Sequence, residues 1–356
     1  MKILTIIGAR PQFIKAAIVS HRIKEDSTGI QEIILHTGQH YDSNMSQVFF
    51  EQMDLPKPHY NLEIGNLSHG AMTGRMLESI EEIIKKTMPQ YVMVYGDTNS
   101  TLAGALAASK LHIPVIHVES GLRSFNMEMP EEINRILTDQ ISNVLFCPTD
   151  QAISNLKNEG FENKNWIKII KNGDVMFDAS IYFADYALPP SFNVPSKFVL
   201  ATLHRAENTD DKNRLKEIVE AFNEINTQIP VIIPLHPRTK KLLDEFQIPV
   251  HFFTCEPLGY FQMLYMLKNA SLVMTDSGGL QKEAFFFQKP CVTLRDQTEW
   301  VELIDSGYNI LAKAAREDIL FKYSTMINKK FYFSHDSLYG DGKASEVIVN
   351  FLKTHS

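Results

Sequence analysis

A chain of 356 residues, 44% hydrophobic and 22% charged, has the composition of a soluble globular protein, and its length favours two domains over a single core. A formal net charge of −7 with no long basic run argues against non-specific binding to nucleic acid or an anionic membrane. Three cysteines, Cys147, Cys255 and Cys291, lie in or beside apolar runs without metal-ligand spacing, as expected of buried thiols in a cytoplasmic protein. The opening apolar run before Gly8 is too short for a signal-peptide core, and nothing approaches the roughly 18 apolar residues of a membrane span.

In chain order, "KILTIIG" reads as a buried parallel strand, because a short continuously apolar run needs both faces covered. Strand-like runs recur at "EIILHTG", "YVMVYGD", "IPVIHVE", "NVLFCPT" and "WIKIIKNGD", with amphipathic stretches between most of them. One spans 68–86, where Met72, Met76, Leu77, Ile80, Ile83 and Ile84 share helical spacing. After the proline-bearing polar stretch "ALPPSFNVPSK" a second series begins: "FVLATLH", "PVIIPLH", "VHFFT", "SLVMTD" and "PCVTLRD". Alternating strand and helix predicts an α/β protein of two doubly wound Rossmann-like domains facing a central cleft. The expected division is 1–175 and 176–340, with a final helix in 341–356 able to pack across the domains. No G-x-G-x-x-G follows the first strand and no G-x-x-x-x-G-K-[ST] occurs, so dinucleotide oxidoreduction and P-loop hydrolysis lose their main support.

Polar groups recur where strands end, the ligand-facing edge of such sheets. They are Asp97 in "VYGDTNS", Glu119 and Arg123 in "IHVESGLR", and His204, Arg205 and Glu207 in "ATLHRAEN". Glu131 and Glu132 follow a proline at an expected helix start. In "TDSGGLQKE", Ser277, Gly278 and Gly279 would open a helix with uncovered amides, a natural phosphate seat. Each has a plainer structural alternative: Asp97 an N-cap, Asp276 or Ser277 another, first-turn glutamates complementing the helix dipole, Glu119 and His204 simply satisfied at strand ends. Together they suit acid–base work on a substrate anchored by its phosphate. A metal is not expected, because His36 and His40 of "HTGQH" straddle a strand end instead of sharing a helical face.

The segments "GARPQFIK", "YGDTNSTLAGALAA", "HVESGLR", "PEEINR", "LHRAEN", "TDSGGLQKEA" and "RDQTEW" resemble, in order and spacing, those of the non-hydrolysing UDP-sugar 2-epimerases over essentially the whole chain. The resemblance implies a glycosyltransferase-B type architecture, no redox cofactor, and inversion at C2 of a UDP-linked 2-acetamido sugar. UDP would leave as the C2 proton is lost, giving a glycal, and would re-add after protonation of the opposite face. By resemblance Asp97, Glu119, Glu131 and His204 are the catalytic positions: Asp97 and Glu131 for proton transfer, Glu119 for holding the site, and His204 for supporting the departing diphosphate or moving a proton. Arg10, Ser277, Gly278, Gly279 and Glu283 would meet the UDP, His236 and Arg238 would flank it, and Arg123 would steady developing negative charge. A homodimer is also implied.

Two departures bear on substrate. Where members acting on UDP-N-acetylglucosamine usually read H-R-R-E-N and T-E-R-P-E, this chain has "HRAEN" with Ala206 and "TEWVE" with Trp300 and Val301. With "SFNMEMPEE", both resemble the branch that converts UDP-2,3-diacetamido-2,3-dideoxy-glucuronic acid to its manno epimer for surface polysaccharide. Rival readings are a UDP-N-acetylglucosamine 2-epimerase, a hydrolysing relative, a glycosyltransferase of the same architecture, and a non-catalytic UDP-sugar sensor.

Overall fold

The computed structural model describes residues 1–25, 29–39, 53, 55–329 and 338–355. It divides into two compact units, Met1–Ala179 with His335–Ser356, and Ser180–Ser334. Each is built on one wholly parallel sheet, as the continuously apolar strand runs demand.

In the first unit the strands are β1 (Lys2–Ile7), β2 (Gln31–His36), β3 (Tyr60–Asn61), β4 (Tyr91–Tyr95), β5 (Val115–Val118), β6 (Val144–Cys147) and β7 (Lys168–Lys171). Their order is β3-β2-β1-β4-β5-β6-β7, so the direction of winding reverses between β1 and β4. Leu4, Ile6, Val92 and Val94 meet Met76, Ile80 and Ile84 of the helix His69–Thr87, whose buried stripe follows the predicted period.

The second unit holds β8 (Val199–Thr202), β9 (Val231–Pro234), β10 (Phe253–Cys255), β11 (Leu272–Thr275), β12 (Cys291–Thr293) and β13 (Asn309–Leu311). Here the order β10-β9-β8-β11-β12-β13 reverses between β8 and β11. Its core joins Val199, Ala201, Ile233 and Met274 to Ile218 and Phe222 of the helix Lys212–Asn226. The α/β class with two doubly wound domains is as expected. The edge strands β3 and β13 were not anticipated: two and three residues long, they carry no apolar run to announce them. Cys147 and Cys291 are buried, their thiols pushed up to about 12 by burial, while Cys255 is only half-buried. Among the described residues no helix is long and apolar enough to cross a membrane.

The closing helix, Ala344–Thr354, belongs to the first unit. Phe351 sits edge-on to Phe146 with centroids 5.7 Å apart. The buried Asp178 carboxylate accepts from Ala344 N at 3.0 Å and from Ser345 N and Oγ, both at 2.7 Å, so a remote side chain caps this helix. Replacing Asp178 with Ala strands buried donors and is expected to cost about 1–3 kcal/mol. An unchanged denaturant midpoint for Asp178→Ala would show that the cap contributes nothing.

Candidate active site

In an open parallel sheet the ligand crevice forms at the carboxyl ends of the strands, where the winding reverses. In the first unit that point lies between β1 and β4. Gly8, just after β1, is there for close approach: an added methyl carbon would lie 2.1 Å from Thr37 Oγ1 and 2.2 Å from Ser100 Oγ. Gln12 ties the two strand ends, accepting from Gly8 N at 2.8 Å and Ala9 N at 3.0 Å while donating to Tyr95 O at 2.7 Å. Arg10, half-buried, opens the helix Arg10–Glu25 on this edge.

Asp97 follows β4, and it is not the helix cap. Thr98 caps Asn99–Lys110, accepting from Thr101 N. Asp97 is thereby left to pair through Oδ2 with Arg135 Nη2 at 2.5 Å, its side chain still 32% exposed. Arg135 Nη1 reaches Glu132 Oε2 at 2.6 Å, and Asn134 Nδ2 donates to Asp97 O at 2.9 Å. All three partners come from the helix Pro130–Ile141, on which Glu132, Arg135 and Asp139, at i, i+3 and i+7, turn inward.

The two adjacent glutamates divide the work. Glu132 is buried and accepts from Ser124 N at 2.9 Å and Phe125 N at 2.8 Å, bracing the preceding loop. Glu131 is exposed, and no partner takes its carboxylate among the described residues. Glu119, after β5, adopts φ 70°, a left-handed conformation that costs a non-glycine residue about 1–2 kcal/mol. Its carboxylate pairs with Lys15 and lies over Gly96. Asp97 and Glu119 thus stand on neighbouring strand ends.

Arg123 is elsewhere. Its side chain is 1% exposed, with Nε and Nη2 on Glu159 at 2.6 and 2.8 Å and Nη1 on Asp139 at 2.7 Å. Burial alone would lower its pKa, but these two carboxylates more than offset that and raise it. The guanidinium is committed to the unit's interior.

In the second unit the switch point joins β8 to β11. Asp276 is fully buried and accepts through Oδ2 from His204 N and Arg205 N, both at 2.9 Å. Its Oδ1 lies 3.1 Å from His204 Nδ1, so the half-exposed ring is oriented with Nε2 away from the carboxylate. Burial would raise the Asp276 carboxyl; His204 and the two amides outweigh it and hold the group below its usual value. Ser277, not Asp276, caps the helix Gly278–Phe286.

Gly278 has no room for a side chain, since a methyl carbon there would lie 2.5 Å from Glu299 Oε1. Glu299 pairs with Arg295 at 2.8 Å, and Arg205 Nη2 lies 3.8 Å from that same methyl position. Gly279 faces open space, with Glu283 half-buried one turn below it on the same helical face. Two cations beside an open helix start suit a diphosphate.

His236 and Arg238 have structural employment. His236 Nδ1 caps Pro237–Phe246 by accepting from Arg238 N at 3.2 Å, while Arg238 pairs with Asp210 and donates to Thr209 Oγ1 at 3.1 Å. His36 is buried with Nδ1 3.0 Å from Asn61 Oδ1, and burial lowers its pKa; His40 lies outside the described residues. Sequence reasoning missed Lys15, Arg135 and Asp276 as site residues, although "GARPQFIK", "PEEINR" and "TDSGG" contain them. A basic residue one turn and a half into a helix signals nothing until its carboxylate partner is placed.

With this geometry in hand, the comparisons decide the family. The UDP-N-acetylglucosamine 2-epimerase family matches residues 21–353. The chain belongs to that family. It is 58% identical over 354 residues, 99% of each chain, to the UDP-2,3-diacetamido-2,3-dideoxy-D-glucuronate 2-epimerase of Pseudomonas aeruginosa. It is also similar to the crystal structure of Methanocaldococcus jannaschii UDP-GlcNAc 2-epimerase in complex with UDP-GlcNAc and UDP, with 43% identity, a TM-score of 0.88 and all of both chains covered. The Neisseria meningitidis UDP-GlcNAc 2-epimerase bound to UDP-GlcNAc matches with 30% identity and a TM-score of 0.87, over 99% of this chain and all of that one.

A pH consequence follows from the buried carboxylates. Asp276 and Asp139 have folded pKa values depressed below their unfolded ones, so the stability they contribute is present above the ordinary carboxylate range and is lost as pH falls through it. Asp178 and Glu32, raised by burial, act with the opposite sign. Urea unfolding at pH 7 and near pH 4 is expected to show a shallower acid loss for Asp276→Asn than for the native chain. Identical acid slopes would mean that Asp276 is not held below its ordinary value.

Proposed function

We propose that this protein inverts C2 of UDP-2,3-diacetamido-2,3-dideoxy-D-glucuronate, yielding the manno epimer without hydrolysis. The observation that carries the reading is the pair of switch-point constellations. One unit presents carboxylates on adjacent strand ends, and the other presents an open glycine turn beside a carboxylate-oriented histidine. The 58% identity to the Pseudomonas aeruginosa enzyme supports the substrate. Ala206 adds to this: exposed at the start of the helix Ala206–Thr209, it leaves room where an arginine would stand in "HRRE". Trp300 is buried beneath Lys282 Nζ, 4.0 Å from its ring centroid.

In the proposed reaction the diphosphate lies against Gly278 and Gly279, with Arg10 and Arg205 supplying positive charge and Glu283 taking the ribose. A base removes the C2 proton, the C1–O bond breaks with its electron pair leaving on UDP, and a C1–C2 double bond forms. Protonation of the other face of C2 then lets a UDP oxygen re-add to C1. Asp97 and Glu131 serve the two faces, Glu119 with Lys15 holds the sugar, and His204 Nε2 meets the departing diphosphate. Charge grows on UDP as it leaves, so donors fixed beforehand lower the barrier selectively. His236, Arg238 and Arg123 act by holding backbone and loop, given the partners they already have. We further propose a cytoplasmic homodimer that supplies a sugar for surface polysaccharide.

Turnover in heavy water is expected to place deuterium at C2 of the recovered nucleotide sugar; active enzyme that leaves C2 unlabelled would reject the elimination route. Offered the diacetamido uronate and UDP-N-acetylglucosamine separately, the enzyme should invert the first with the higher kcat/KM. The reverse preference would assign it to UDP-N-acetylglucosamine, and free sugar as product would make it a hydrolase. His204→Asn and Glu131→Gln should each lower kcat by about a hundredfold or more with the fold intact. Near-native turnover in either removes that residue from the mechanism.

A further inference from the structure

His117 is the fully buried histidine of β5, two residues before Glu119, and nothing in the proton-transfer scheme uses it. Its Nε2 lies 2.7 Å from Gly96 O and its Nδ1 2.7 Å from Asp139 Oδ1. A carbonyl oxygen can only accept. The carboxylate is also an acceptor, since Asp139 Oδ2 already takes Gly121 N at 3.1 Å and Arg123 Nη1 at 2.7 Å. Both ring nitrogens must therefore donate, which makes His117 an imidazolium. Along the buried chain His117, Asp139, Arg123 and Glu159 the charges alternate in sign and cancel, the condition under which such groups persist inside a protein.

What the imidazolium grips gives it a purpose. Gly96, at φ 63°, is the residue immediately before Asp97. Gly121, at φ 78°, closes the turn after Glu119, where an added methyl carbon would meet Ala152 O at 2.5 Å. A single ion pair thus clamps both turns, one end holding the approach to Asp97 and the other the exit from Glu119. Resting on the epimerase reading above, we propose that His117 is a positioning residue for proton transfer: a buried imidazolium that fixes the spacing of Asp97 and Glu119 without touching substrate. Asp139 is its counter-ion and acts through it. The groups facing the ring are Asp139 and the Gly96 carbonyl, with Arg123 behind Asp139 and the Lys15–Glu119 pair over Gly96.

Displacements near 1 Å at a reacting centre typically cost on the order of a hundredfold in rate, so loosening this clamp should appear in kcat and not in nucleotide affinity. His117→Gln, which can still donate at one end, is expected to lower kcat at least tenfold while the Kd for UDP, none of whose proposed contacts is a partner of His117, stays within twofold. Native turnover in that variant would overturn the proposal, as would equal losses in kcat and UDP affinity, which indicate general damage. The protonation itself is read on the native full-length protein without substrate. In histidine-labelled 15N NMR at pH 8, one resonance pair should have both ring nitrogens protonated; spectra in which every histidine is neutral would sink the idea even if the variant failed to fold. Epimerase activity of the native protein is the separate control. If it is absent, the functional reading fails while the nitrogen shifts still answer for the clamp.

Discussion

One device recurs at several of this chain's irregular loops: a buried carboxylate accepting backbone N–H groups from another segment. Glu132 takes Ser124 N and Phe125 N, Asp139 takes Gly121 N, Asp276 takes His204 N and Arg205 N, and Asp178 takes Ala344 N and Ser345 N. Parallel sheets make such a device necessary. Their strands end at one edge, the loops leaving that edge cannot pair with each other as hairpins do, and their amides still need acceptors. An ionised acceptor gives a hydrogen bond roughly twice as strong as a neutral one. Its cost is a buried charge, which is why Arg135, Arg123 and His204 stand beside three of the four.

That arrangement separates bracing carboxylates from those proposed to move protons by exposure. Glu132 and Glu131 are neighbours on one helix turn, yet the first is buried with three donors and the second is exposed with none among the described residues. A proton-transfer group must exchange its proton with substrate, and a carboxylate saturated by donors has no lone pair to offer. Asp97 lies between these extremes, one oxygen on Arg135 and a third of its side chain open. Glu119, pinned by Lys15 in a strained backbone conformation, suits holding better than proton relay.

Most of the fold was legible because β1, β4, β5 and β8 are continuous apolar runs that leave a strand no solvent face, and because Met76, Ile80 and Ile84 recur at helical spacing. The edge strands β3 and β13 carry no such run. At the candidate site, the strand-end positions of Asp97, Glu119 and His204 were legible from the apolar runs that precede them. Lys15, Arg135 and Asp276 were not, since their importance lies in pairs whose members are 104, 38 and 72 residues apart. Arg123 misled for the same reason. It follows the strand end as a ligand-binding arginine would, but its carboxylate partners, Asp139 on a later helix and Glu159 just past the end of the next, turn it inward.

The glycines of the opening turn show how one residue type answers two physical demands. Neither Gly278 nor Gly279 adopts positive φ, so left-handed freedom explains neither. At Gly278 the space a methyl carbon would take is filled by Glu299 Oε1, 2.5 Å away, which brings that carboxylate, with Arg295 and near Arg205, onto the start of the helix. Gly279 meets nothing within 4 Å, so packing among the described residues does not demand its smallness. Ser277 Oγ reaches only Leu280 N, at 3.5 Å, and among the described residues no side-chain acceptor takes the Gly278 or Gly279 amide, an arrangement that suits an external anion. The chain thus braces His204 with an internal carboxylate and leaves the adjacent turn open, as the proposed diphosphate site requires.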